Sequence, residues 1–174
     1  MSLTEVFAEL KAAHEAGVFE RYALGGAVGA TVYLEPAATE DVDIFVTIRT
    51  PAGSRLVTME PLYAFFLGRG AVVDGERLTI GGWLVQLLPP PTALVEDALE
   101  KALHLEVDGA TVPVFSQEHL AAIALETNRL KDKVRLKQFL DSDTFDHQAF
   151  HELAERFGLQ QMWTKVQAFL KENP

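Results

Sequence analysis

Residues 23–46 read ALGGAVGATVYLEPAATEDVDIFV, a short apolar run closing on Gly25 and Gly26, then a second apolar run that carries Asp41 and Asp43. With a strand over 42–48, side chains alternate between faces, so Asp41 and Asp43 project to one side with Cα atoms roughly 6.5 Å apart. Two carboxylates so placed suit a divalent cation. The intervening residues 27–33 are predicted to form two helical turns. Gly25 and Gly26 let the backbone approach a ligand closely, and the free amides and dipole of the following helix favour an anion there. Phosphate cradle and cation ligands then share one cleft, which commits the chain to strand, glycine turn, helix and acidic strand in that order.

That order, with Thr39-x-Asp41-x-Asp43 followed by apolar Ile44, Phe45 and Val46, resembles the nucleotidyltransferase superfamily. It is most similar to the small stand-alone members related to the AbiEii-type toxins. A later stretch, Ser116-Gln117-Glu118-His119-Leu120 opening a helix and then Arg129-x-Lys131-Asp132, carries the same resemblance, which spans residues 22–140 and loses specificity after Val46. It implies Gly25, Gly26 and Lys131 as nucleotide-binding residues and Asp41 and Asp43 as catalytic ligands of Mg²⁺ or Mn²⁺. A third carboxylate on a later strand ordinarily completes such a site.

The position that aligns with that carboxylate is Gln86, between apolar Val85 and Leu87. A neutral amide can neither share a second metal nor act as a base toward an attacking hydroxyl. Ala37 and Ala124 stand where relatives carry Arg and Lys. Glu40, Asp74 and Glu76 are the candidates for compensation, but they read better as solvated turn residues.

Of the 174 residues 48% are hydrophobic, enough to bury a core. The absence of cysteine excludes disulfides, thiolate metal sites and a cysteine nucleophile. The opening MSLTEVFAELKAAHEAG has acidic residues where a signal peptide needs a basic end, and no apolar run reaches the ~20 residues that span a bilayer, so a cytoplasmic protein without a membrane partner is expected. A formal charge of −10 argues against broad binding to nucleic acid, yet Arg129, Lys131, Lys133, Arg135 and Lys137 gather five of the 15 basic residues in one local patch that can hold a phosphate tail.

Periodicity predicts a first amphipathic helix ending at Gly17, strands over 20–24 and 42–48, a turn-rich break at 50–54 and a helix over 55–67 started by Pro61. Strands over 71–73, 77–80 and 83–88 follow as a meander with turns at Asp74-Gly75 and Gly81-Gly82. A helix over 92–103, a hairpin over 105–107 and 111–115, and helices over 117–130, 131–140, 146–157 and 159–171 complete the chain. The expected fold is α/β (α+β), a mixed sheet flanked by helices over 1–115 and a C-terminal helical appendage over 116–174.

His147 and His151, four apart on one helix, have zinc spacing but no evident third ligand, and read as exposed residues. Phe157, Trp163 and Phe169 read as contacts between helices or as a surface for a homodimer or partner protein. Gly26-x-x-Gly29 lacks the first glycine of a dinucleotide fingerprint, and no Gly-Lys-Ser/Thr follows to make a P-loop. Two functions therefore stand open. One is metal-dependent transfer of a nucleoside monophosphate from a nucleoside triphosphate to an acceptor (protein, RNA or small molecule). The alternative is a catalytically degenerate relative that binds a nucleotide or a protein partner as a toxin–antitoxin-type component.

Overall fold

The computed structural model describes residues 2–36, 39, 41–48 and 58–172. Ala37, Glu40 and the break at 50–54 lie outside them. In chain order the elements are α1 (Thr4–Glu15), β1 (Arg21–Leu24), α2 (Gly26–Ala30), β2 (Asp41–Thr47), α3 (Glu60–Gly68), β3 (Val72–Asp74), β4 (Arg77–Ile80) and β5 (Trp83–Leu88). There follow α4 (Ala93–Glu100), β6 (Leu103–Val107), β7 (Ala110–Val114), α5 (Gln117–Thr127), α6 (Leu130–Leu140), α7 (His147–Arg156) and α8 (Gln160–Glu172).

The strands form one mixed sheet in the order β3-β4-β5-β2-β1-β7-β6. Its centre is mixed because β1 runs antiparallel to β2, while β2 and β5 are parallel, as are β1 and β7. Strict alternation along β2 decides what each face receives. Val42, Ile44 and Val46 are fully buried beneath α1 and α3, in a core that includes Val6, Phe7, Leu10, Leu62 and Phe66. Asp41, Asp43 and Phe45 consequently face the opposite layer, where α4 to α8 pack around Phe115, Leu125, Leu136, Phe139 and Phe150. A one-residue register slip would bury both carboxylates under α1.

Four predicted boundaries move by three residues or more. The two turns expected over 27–33 reduce to the five residues of α2, with Thr31 as its C-cap. The predicted helix over 55–67 is α3, running Glu60–Gly68 with Pro61 in its first turn; residues 55–57 are outside the described set. The helix predicted over 92–103 stops at Glu100, and Leu103 opens β6 opposite Val114, because the alternation of Leu103, Leu105 and Val107 continues a ladder rather than a helical face. The helix predicted to reach residue 130 ends at Thr127, where Asn128 takes a left-handed conformation (φ 53°) that an asparagine tolerates.

Caps and charges tie the helical layer down. The Ser116 hydroxyl accepts the His119 N–H at 3.3 Å and caps α5. His119, buried and given no role from sequence, lies 3.0 Å from Ser116 Oγ through Nδ1 and 3.0 Å from Asp97 Oδ2 through Nε2. Asp97 also accepts Lys101 Nζ at 3.2 Å and a bond from Arg156 Nη2, so one carboxylate joins α4, α5 and α7. Burial works to raise the Asp97 pKa, but the bonds from His119, Lys101 and Arg156 outweigh it and hold the carboxyl below its ordinary value. Asp97→Asn is expected to cost about 2 kcal/mol at neutral pH, read from urea midpoints. Because the native pKa is depressed, this contribution is complete above the unfolded value of about 3.9 and disappears as pH falls through the lower native one. The variant and the parent should then converge at acid pH; equal midpoints at pH 7 would show that the cluster contributes nothing.

Candidate functional site

β1 delivers the chain to Gly25, whose N–H is donated to the Asp43 carbonyl at 3.0 Å. A Cβ on Gly25 would lie 2.6 Å from Phe45 Cε2, so this glycine lets the turn close on β2 rather than offering its own amide to a ligand. Gly26 has the ligand-facing position. Its φ is +56°, and a Cβ there would meet Asp43 Oδ2 at 1.9 Å. With only five residues, α2 has little dipole to contribute, and the close approach permitted by Gly26 is what the turn supplies.

Asp41 and Asp43 stand on the same face of β2, both partly buried. Thr39 donates its hydroxyl to the Asp41 carbonyl at 3.1 Å and reaches Oδ1 at 3.4 Å. Gln86 is the direct register partner of Asp43 on the parallel neighbour β5, and its side chain lines the same cavity. Burial first, and then repulsion from Asp41, push the Asp43 pKa up; Lys131, Arg135 and Arg129 pull in the other direction.

Those cations come from α6, and helix geometry separates the basic run into two faces. Lys131 and Arg135, four residues apart, line the cavity with Arg129. Lys133 lies instead over the Phe169 ring at 4.6 Å, and Lys137 pairs with Asp141 at 2.8 Å. Arg129, which precedes α6, is positioned by buried Asp132, whose carboxylate takes Arg129 Nε at 2.6 Å and the Thr127 hydroxyl at 2.9 Å. Lys131 and Arg135 form no ion pair within 4.0 Å among the described residues. In the sequence Arg135 is one of a basic run, and its four-residue spacing from Lys131 is the signal that singles it out.

The cavity has a volume of about 540 Å³ and is lined by Gly26, Asp41, Asp43, Gln86, Lys131 and Arg135 together with a largely apolar wall that includes Ala124. Gly25 is buried and does not line the cavity. Asp74 and Glu76 are exposed at the β3–β4 turn, away from the cavity. His147 and His151 are exposed as well, resting against Phe145 and Trp163, while Trp163 packs edge-on to Phe150 at 5.2 Å as a contact between α7 and α8. Among the described residues no group of three or more His, Cys, Asp or Glu converges to cage a metal alone. A donor set of two carboxylates does fit Mg²⁺, which is commonly held by one or two carboxylates together with phosphate oxygens and water.

No protein-family model matches the chain, and no curated protein does. Among solved structures, an antigenic nucleotidyltransferase-like protein from Paracoccidioides brasiliensis aligns at 15% identity with a TM-score of 0.56, over 98% of this chain and 94% of that one. The fold is nucleotidyltransferase-like. Two structures of the antibiotic-resistance factor ANT(2'')-Ia also align: one in solution (19% identity, TM-score 0.47, 98% of this chain and 92% of that one) and one with adenylyl-2''-tobramycin (16%, 0.46, 99% and 98%). Within this nucleotidyltransferase-like fold, the cavity opens where α2, β2, β5, α4, α5 and α6 meet. No helix among the described residues is long and apolar enough to cross a membrane.

Proposed function

We propose that the cleft binds a nucleoside triphosphate together with a divalent cation and transfers the nucleoside monophosphate to an acceptor hydroxyl. The observation that carries this reading is the opposition of Asp41 and Asp43 to Lys131, Arg135 and Arg129 across one cavity. Asp41 and Asp43 would hold Mg²⁺ or Mn²⁺, with the nucleotide's own phosphate oxygens completing the shell. The ion's contribution when bound is to neutralise phosphate charge. Gly26 keeps the turn clear of side chains, and Lys131 and Arg135 stabilise negative charge on the departing pyrophosphate. In the transfer the acceptor oxygen bonds to the α-phosphorus, the bond from that phosphorus to the bridging oxygen breaks, pyrophosphate leaves with the electron pair, and the hydroxyl proton passes to water.

Gln86 limits the rate in this reading. Its amide can hydrogen-bond the acceptor hydroxyl beside Asp43 but cannot take the proton. The same residue favours a second reading, in which the cleft binds the nucleotide and transfer is lost. The finer kinship with AbiEii-type toxins, resting on Gly25-Gly26 with Thr39-x-Asp41-x-Asp43 and again on residues 116–120 and Arg129-x-Lys131-Asp132, belongs with this proposal. So do a toxin–antitoxin role, a homodimer or protein partner, and a cytoplasmic location.

Calorimetry with nucleoside triphosphates and Mg²⁺, followed by transfer of a labelled nucleotide, separates the readings. Binding without transfer selects the second, and no binding removes both. Gln86→Glu, isosteric and ionisable, is expected to raise transfer about a hundredfold by supplying a general base. Unaltered transfer with intact binding would discard that role for the position.

A further inference from the structure

The part of the cavity wall that β2, β5, α4 and α5 contribute has a different chemistry from the basic residues of α6. Phe45 and Phe115 stack there with ring centroids 5.0 Å apart, and Leu88, Val95 and Ile123 extend the apolar wall. Ala124, where a longer side chain would fill the space, leaves it open. Flat apolar surfaces of this kind suit a planar heterocycle.

One carboxylate interrupts this wall. Glu126 lines the cavity one helical turn after Ile123, and its Oε2 accepts the Thr92 hydroxyl at 3.0 Å. Thr92 is itself fixed as the N-cap of α4, accepting the Val95 N–H at 3.3 Å. The threonine's single proton is thus committed to Glu126, and the carboxylate is held in one orientation. Glu126 has no other hydrogen-bond or ion-pair partner among the described residues. An ionised carboxylate retains several lone-pair sites after accepting one bond, and it has nothing to donate. Its complement is a pair of adjacent N–H donors.

We propose that the cavity selects a guanine nucleotide and that Glu126 is the residue that determines this specificity; the inference rests on the nucleotide reading above. Guanine presents its ring N1–H and exocyclic amine side by side, matching the two carboxylate oxygens. Adenine and cytosine set a ring acceptor beside their amine, which a carboxylate repels, and uracil flanks its single N–H with two carbonyls. A site whose polar group meets donors in one base and acceptors in another discriminates more sharply than an apolar pocket does.

The test is calorimetric titration of the full chain with GTP, ATP, CTP and UTP in Mg²⁺, for the parent and for Glu126→Gln. GTP is expected to bind the parent at least about tenfold more tightly than ATP. In Glu126→Gln the amide can donate to adenine N1 and accept from its amine, so the preference should invert, with GTP weakened about tenfold or more and ATP strengthened. Circular dichroism and thermal midpoints establish that the variant is folded; should it not fold, Thr92→Val, which releases the carboxylate, is expected to reduce the GTP preference. Equal affinities for the four nucleotides, or a GTP preference that survives Glu126→Gln, would overturn the inference while leaving nucleotide binding intact. Failure of every nucleotide to bind would remove the nucleotide reading itself and this inference with it.

Discussion

Asp43→Asn is expected to lower nucleotidyl transfer about a thousandfold, equivalent to ~4 kcal/mol of lost transition-state stabilisation, without destabilising the fold. The two halves of that expectation come from one fact. Asp43 is partly buried and faces Asp41, and its pKa is raised by burial first and by Asp41 second. An acid whose native pKa lies above its unfolded value is stabilising in its neutral form and unfavourable when ionised, so at neutral pH the carboxylate weakens the folded state. Asparagine removes this cost with little change in volume. The thermal midpoint of the variant should therefore match or exceed the parent's at pH 7, and the gap should close as acid protonates the parent's Asp43. Residues retained at a cost to stability are a mark of functional sites. A variant that melts earlier than the parent at neutral pH would instead assign Asp43 a structural role, and undiminished transfer would remove it from the chemistry.

How much of this was legible in the sequence depends on the range of the interaction concerned. The alternation of Asp41, Asp43 and Phe45 against Val42, Ile44 and Val46 needed only a period of two, and the two faces follow it. Asp108-Gly109 marks its hairpin turn because both residues take positive φ, 52° and 81°, as a two-residue connection demands. The end of α4 was not legible, since Leu103 satisfies both a helical and a strand period and only pairing with Val114 decides between them. The apolar wall of the cavity was hidden for a related reason: Phe45, Leu88, Phe115 and Ile123 belong to separate parts of the chain. Glu126 and Thr92 are 34 residues apart, and neither looks unusual locally. His119 likewise gained its meaning from Asp97, which only the packing of α4 against α5 brings to it.

Gly26→Ala is expected to cost about 2–4 kcal/mol of stability and to abolish nucleotide binding, because two independent strains coincide at one methyl group. The first is conformational, since a φ of +56° is left-handed and any L residue pays there. The second is steric. The added Cβ would sit 1.9 Å from Asp43 Oδ2, 2.7 Å from its Cγ and 2.9 Å from its Cβ, so rotating the carboxylate aside does not relieve the whole clash. Either Asp43 leaves the cavity face or β1 and β2 separate at the Gly25–Asp43 backbone bond. Both outcomes disorganise the carboxylate pair. A double-mutant cycle with Asp43→Ala tells the strains apart: the steric part should shrink once Oδ2 and Cγ are gone, while the φ penalty stays, leaving a coupling energy of about 1–2 kcal/mol. Urea midpoints of the four proteins measure it. Additive costs would mean that Gly26 and Asp43 do not compete for the same space, and the site would then have to be built some other way.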